Sequence, residues 1–229
     1  MSDKIPKIVQ QITYWPIYLV LKVFFRYSIE SQENLEGLEN KGVIFASNHA
    51  STIDGPFCAA AMPREGIVPK KFFPVRFLAA REYCEWLNPK NFPFPIFFFT
   101  TAYVKANGSI PVERRIAGRT LEEKLSEAIK ALKAGAKVWI YPEGRITRDG
   151  KLQSGKKGAV FLHQKTGAPI VPVGLIGTFK ILTPKILFKT LIGQNRVKVK
   201  IGKPIYLPAS VDLEEGTETV MQEIAELLK

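Results

Sequence analysis

Cysteine is scarce in this 229-residue chain, which has only Cys58 and Cys84. Neither stands in a CxxC pair or any other metal-ligand spacing. A disulfide framework and a zinc ribbon are thereby set aside, and two reduced thiols packed as small hydrophobes are expected. Histidine is equally scarce: His49 and His163 lie far apart with no cysteine ligand pattern near either, so no metal is expected. Acidic residues are outnumbered, 21 Asp and Glu against 33 Lys and Arg, for a net charge of +12. That excess points to anionic partners such as nucleic acid, lipid headgroups, phosphorylated substrates or an acidic carrier protein, without choosing among them. Internal repeats, low-complexity tracts and domain-dividing linkers are also missing. With 46% apolar and 24% charged residues the composition is globular. A chain of this length buries a core large enough to hold together unaided.

A long uninterrupted apolar run is lacking too. The strongest candidate, Ile12 to Phe25 (ITYWPIYLVLKVFF), is broken by Pro16 and Lys22. Its roughly 14 residues at about 1.5 Å each fall short of a ~30 Å hydrocarbon core, and no small-residue cleavage site follows. A full span and a cleaved signal peptide are both disfavoured. Tyr14, Trp15 and Tyr18 beside Lys22 and Arg26 suit a helix lying in the headgroup boundary. Packing of the same helix on its own domain is the alternative.

What is present, from about residue 40 onward, is an alternation of strand-like and helix-like stretches. This predicts an α/β fold with a mostly parallel central sheet flanked by helices. Strands are expected at Val43–Ser47, Phe72–Ala80, Ser109–Val112, Lys137–Tyr141 and Ile170–Leu175. Arg196–Ile201 (RVKVKI) alternates basic and apolar residues, as a strand near the sheet edge with one wet face would. Helices are expected at Pro56–Met62, Arg81–Leu87, Thr120–Ala134, Lys157–Lys165 and Leu213–Leu228. Thr120–Ala134 carries Leu121, Leu125, Ala128, Ile129 and Leu132 along one side and stops at Gly135. The proline-broken, aromatic stretch Asn91–Tyr103 (NFPFPIFFFTTAY) reads either as core filling or as a loop meeting lipid or an acyl chain.

Four blocks carry candidate chemistry. In the first, Asn48-His49-Ala50-Ser51-Thr52-Ile53-Asp54, a histidine follows a buried strand and a carboxylate sits beside the next helix. Sites in parallel α/β sheets collect at such strand ends. An imidazole titrates in the range needed to take a proton near neutral pH, and a carboxylate on its other nitrogen would fix its tautomer. In the second, Gly108 to Arg115 (GSIPVERR), Arg114 and Arg115 leave a strand end and offer planar forks to a phosphate. The third, Tyr141-Pro142-Glu143-Gly144-Arg145, joins a carboxylate, a permissive glycine and a cation. The fourth, Ala168 to Val173 (APIVPV), is apolar and would build a wall.

In this order the blocks resemble the glycerolipid acyltransferases, in particular the 1-acyl-sn-glycerol-3-phosphate acyltransferase type, over about residues 35–206. Asn48, His49, Ser51 and Asp54 fill the family's NHxSxxD motif. Gly108, Ile110 and Arg114 fill its Gly-x-Ile-x-x-x-Arg strand. Pro142, Glu143 and Gly144 fill Phe-Pro-Glu-Gly with Tyr141 for Phe, and Val171 and Pro172 fill the final Val-Pro pair. The resemblance implies a glycerol-3-phosphate acyltransferase-like fold, with residues 1–34 as a membrane-associating helical segment and 35–229 as the catalytic domain. It implies His49 as base and Asp54 as its orienting partner. Asn48, Ser51, Arg114, Glu143, Gly144 and Arg145 become substrate-binding residues. It further implies transfer of a fatty acyl group from acyl-CoA or acyl carrier protein to the sn-2 hydroxyl of lysophosphatidic acid. The expected setting is the anionic, cytoplasmic face of a membrane, peripheral or monotopic, with no cofactor and no nucleic-acid partner.

One departure stands out: Arg145 directly follows Gly144, where Thr-Arg-Ser is commoner. That variant, with Asp54-Gly55, resembles relatives that reacylate lysophosphatidylethanolamine, whereas Arg114 matches the phosphatidic-acid-forming members. Two further readings compete from other classes. Gly150–Lys157 (GKLQSGKK) nearly spells a P-loop, but Lys157 replaces the hydroxyl residue and the loop starts well past its strand. A non-catalytic module binding anionic membrane or nucleic acid is the other, though the lysines are scattered and no groove-reading motif is present.

Overall fold

Strand β2, Val43–Ser47, has five buried residues in succession, which a strand can have only when both faces of its sheet are covered. The computed structural model, which describes residues 3–81, 104–113, 118–192 and 194–229, shows how that covering is built. The strands are β1 Ser28–Glu30, β2, β3 Val75–Ala80, β4 Ile110–Val112, β5 Lys137–Ile140, β6 Ile170–Ile176 and β7 Lys198–Ile201. They form one sheet in the order β1-β7-β6-β2-β5-β3-β4. The five strands from β6 to β4 run parallel, β7 is antiparallel to β6, and β1 is parallel to β7.

Side chains alternate between the faces, and the two cores divide accordingly. Phe45, Trp139, Val171 and Val173 point to one face, where α1 (Lys4–Phe25) and α2 (Asp54–Ala60) lie. There Phe45 stacks on Trp139 at 4.9 Å between ring centroids. Ile44, Val138, Ile140 and Ile170 point to the other face, under α3 (Leu121–Lys133), α4 (Gly158–Thr166) and α6 (Leu213–Leu227). Helix α3 starts on a capping box: Thr120 Oγ1 accepts from Glu123 N, and the Glu123 carboxylate accepts from Thr120 N. Burying its stripe of Leu125, Ala128 and Leu132 contributes several kcal/mol.

The N-terminal helix differs from expectation. It runs 22 residues, Lys4–Phe25, straight through Pro16, and by length and composition it could cross a bilayer. Proline inside a helix costs about 3 kcal/mol, which packing offsets here. Pro6, Gln10, Tyr14 and Leu21 are buried against the domain. The Gln10 amide bonds both backbone groups of Val75 at 2.9 Å and the Asn107 carbonyl at 3.0 Å, and Asp3 pairs with Arg76. The opposite side leaves Ile5, Ile8, Ile12, Leu19 and Val23 exposed at helical spacing.

Neither the three-residue strand β1 nor α5, Pro184–Leu191, was expected from the sequence. Because β1 occupies the sheet edge, β7 lies one place in from it. Val199 and Ile201 are buried there and Lys198 and Lys200 half-buried. The sheet thus takes in residues 28–30, ahead of the boundary drawn at 34. Residues 82–87 of the Arg81–Leu87 helix, Cys84, and all of Asn91–Tyr103 lie outside the described residues.

Candidate active site

Strand β2 ends at Ser47, and the turn that follows carries His49 back toward the first residue of α2, Asp54. The five-residue offset closes in this turn: His49 Nδ1 stands 2.9 Å from Asp54 Oδ2. The same oxygen accepts from the backbone N–H of Ala50 at 2.8 Å and of Ser51 at 2.9 Å. A carboxylate accepts and does not donate, so in the neutral imidazole Nδ1 carries the proton and Nε2 has the free lone pair. Asp54 is fully buried, and its Oδ1 has no hydrogen-bond partner among the described residues. Burying a carboxylate and leaving one oxygen unpaired costs stability, so the arrangement answers to function more readily than to folding.

The third block grips the first. Glu143 Oε1 accepts the His49 backbone N–H at 2.7 Å, and the Thr147 N–H donates to the His49 carbonyl at 2.9 Å. The Tyr141 ring stacks on the imidazole at 3.9 Å, nearly parallel at 12°. Burial pushes the Tyr141 phenol well above its ordinary range. Beside it, burial and then the Asp54 charge push the Cys58 thiol up as well. That buried, protonated thiol is a poor nucleophile.

Three residues expected to touch substrate face inward instead. Both Glu143 oxygens are taken by backbone, Oε2 accepting from Gln153 N at 2.8 Å, and burial raises its carboxyl above the usual range. Asn48 clamps β2 to β6, its amide bonding both backbone groups of Leu175 at 2.8 Å. Ser51 is buried in the turn, where its hydroxyl accepts weakly from Ile53 N. Polar side chains in a tight strand-to-helix turn are captured by nearby backbone donors and acceptors. Arg114 lies outside the described residues; Glu113, just before it, lines the cavity and pairs with Arg81 and Arg119.

That cavity, about 720 Å³, borders His49. Apolar walls come from α1, β3 and α3 (Ile17, Phe77, Leu121), and the cations Lys124, Arg145 and Lys156 stand at its edge. Gly144 makes room for one of them. Its φ is +68°, and a Cβ there would fall 2.8 Å from Lys156 Nζ, so the lysine crosses directly over the glycine. Neither Arg145 nor Lys156 has a carboxylate partner among the described residues. Sequence reasoning missed Lys124, Lys156 and the Tyr141 stack. The GKK run after the third block was the available signal for Lys156.

Several known proteins are similar to this chain. A chloroplastic 1-acyl-sn-glycerol-3-phosphate acyltransferase of Arabidopsis thaliana is 29% identical over 184 residues, 80% of this chain and 44% of the relative. One from Brassica napus is 37% identical over 99 residues, 43% of this chain and 28% of the relative. The chain therefore spans less than half the length of these relatives. In fold it is similar to the crystal structure of the 1-acyl-sn-glycerophosphate (LPA) acyltransferase from Thermotoga maritima. The TM-score is 0.61 at 21% identity, over 99% of this chain and 84% of that one. Residues 26–176 match the family described as Acyltransferase, a stretch that holds the His49–Asp54 pair and the turn that grips it, and the chain belongs to that family.

Proposed function

We propose that the protein transfers a fatty acyl group from acyl-CoA or acyl carrier protein to the sn-2 hydroxyl of lysophosphatidic acid, giving phosphatidic acid. The observation that carries this reading is the 2.9 Å His49–Asp54 pair at the edge of a large, largely apolar cavity with cations beside it. His49 Nε2 takes the proton of the acceptor hydroxyl, and the freed oxygen attacks the thioester carbonyl. The tetrahedral adduct then collapses, the C–S bond breaks, and the imidazolium proton goes to the departing thiolate. Asp54 holds the tautomer and balances the imidazolium charge in the meantime. No acyl-enzyme is required, in keeping with the buried thiol of Cys58.

Arg145 and Lys156 supply positive charge for the acceptor phosphate, with Arg114 as the third cation implied by the family pattern. Holding two substrates in attack geometry contributes about 7 kcal/mol or more. Helix α1 supports a membrane setting: its inner face lines the cavity through Gln10, Thr13, Tyr14 and Ile17, while its outer face is apolar. Such a helix lies in the headgroup boundary and opens the site toward lipid, on the cytoplasmic face of the membrane.

The test is direct. Purified protein incubated with labelled acyl-CoA or acyl carrier protein and a panel of lysophospholipids should form phosphatidate in preference to other products. Faster acylation of lysophosphatidylethanolamine would assign the Gly144-Arg145 variant to that acceptor. No acyl transfer to any lysophospholipid from either donor would refute the reading.

A further inference from the structure

Large apolar side chains left in solvent are concentrated on one part of this molecule. Of the eleven most exposed among the described residues, six lie on α1, and Leu182, Phe188 and Ile192 lie on or beside α5. Phe188 is 64% exposed, and Ile192, one turn on, shares its helix face. The other side is held to the body: Ile181 and Thr190 are buried, and Asn195 donates to the Thr190 hydroxyl. Helix α5 abuts α1. Just past it, Val197 N donates to the Phe25 carbonyl at the end of α1 at 2.9 Å. Lys180 and Lys189 flank the apolar residues, both exposed and without a carboxylate partner among the described residues. Single exposed hydrophobes are ordinary on a protein surface; several gathered on two adjoining elements are not.

We propose that α5 and the turn before it form a second membrane contact. Leu182, Phe188 and Ile192 enter the acyl–headgroup boundary of an anionic bilayer, and Lys180 and Lys189 meet lipid phosphates. The proposal rests on the reading of α1's outer face as a lipid contact and adds a point of attachment off that helix's axis. A single helix in the interface leaves the body free to roll about it. A second contact to one side fixes the roll, and with it the angle at which the cavity meets the bilayer. Charge favours lipid over a second copy of the chain as the occupant, since an isologous pair would oppose two basic flanks in a protein of net charge +12.

The test uses the full chain and vesicles of phosphatidylcholine with or without phosphatidylglycerol. Phe188→Ser/Ile192→Ser should lower partitioning onto the anionic vesicles at least about tenfold with the circular dichroism spectrum retained. Phe188→Trp should add fluorescence that brominated acyl chains quench, which carries the test if the serine variant misfolds. Unchanged partitioning of the serine variant, or no quenching of the fluorescence that Phe188→Trp adds, overturns the proposal. So does a vesicle-free dimer that Phe188→Ser/Ile192→Ser turns into a monomer, which assigns the face to a second copy. Ile8→Ser/Ile12→Ser separates the two readings: loss of binding in that variant alone leaves α1 in lipid and removes α5, and no loss in either variant removes both.

Discussion

Glu143 reaches across from the turn after β5 to take the backbone N–H of His49 at 2.7 Å, so the carboxylate of one motif sets the position of the histidine in another. With the Thr147 N–H on the His49 carbonyl, both backbone groups of the histidine are tied to one turn. Both Glu143 oxygens are engaged by backbone in this way, Oε2 by the Gln153 N–H.

Removing that tie should therefore cost both stability and rate. Glu143→Ala leaves the N–H groups of His49 and Gln153 without their acceptor, at about 1–3 kcal/mol each. The melting temperature should fall, and kcat should fall while the acceptor KM changes little. Arg145→Ala should do the reverse, raising the acceptor KM with the melting temperature intact. Thermal melts with steady-state kinetics on both variants check the contrast.

Asp54→Asn preserves shape and removes the charge that balances the imidazolium. Acyl transfer should drop by about 10³-fold or more with the fold retained, because the amide oxygen that the Ala50 and Ser51 N–H groups hold in place is neutral and no longer stabilises the imidazolium. Kinetics and circular dichroism on the purified variant read both halves of that expectation.

Gly144 sits in left-handed backbone under the Lys156 side chain. Gly144→Ala should destabilise the protein by about 1–2 kcal/mol from backbone strain alone, with a further loss from displacing the lysine. In a double-mutant cycle, Lys156→Ala should recover the second part and leave the first. Chemical denaturation of the four proteins gives the cycle.

The parts legible in the sequence were those where chain pattern and environment agree. VIFAS reads as a doubly covered strand and is one, and the Leu125-Ala128-Leu132 stripe reads as a helix face and is buried as one. Strand β1 was not legible because three residues, Ser-Ile-Glu, carry no pattern, and its partner β7 supplies the pairing. The site was half legible. His49 and Asp54 could be paired on chemistry alone, whereas Asn48, Ser51 and Glu143 share the polarity of substrate ligands and turn out to serve the backbone. Polarity in a sequence does not tell which way a side chain faces; the donors and acceptors around it do. Gln10 makes the same point, because the Val75 pairing it provides lies sixty-five residues away.

Lys137 gives a pH signature unrelated to catalysis. It is 2% exposed, its ammonium donates to the carbonyls of Glu39 at 2.9 Å and of Lys41, and it lies 5.4 Å from the Phe72 ring centroid. Burial lowers its pKa from 10.5 to about 8, against the opposing charge of Glu39. Between those values the unfolded chain binds more protons than the folded one. The Lys137 contribution to stability therefore rises with pH across that window and is least favourable below about 8. Denaturation of wild type and Lys137→Met below, within and above the window should show the wild type gaining on the variant as pH rises. A constant difference would contradict this.

The most direct measurement is the rate of phosphatidate formation by purified His49→Ala from labelled acyl-CoA and lysophosphatidate. With the base gone and the Asp54 carboxylate still held by two backbone N–H groups, the fold should persist and the rate should fall about 10³-fold. A folded His49→Ala protein keeping a tenth or more of the wild-type rate would contradict the account.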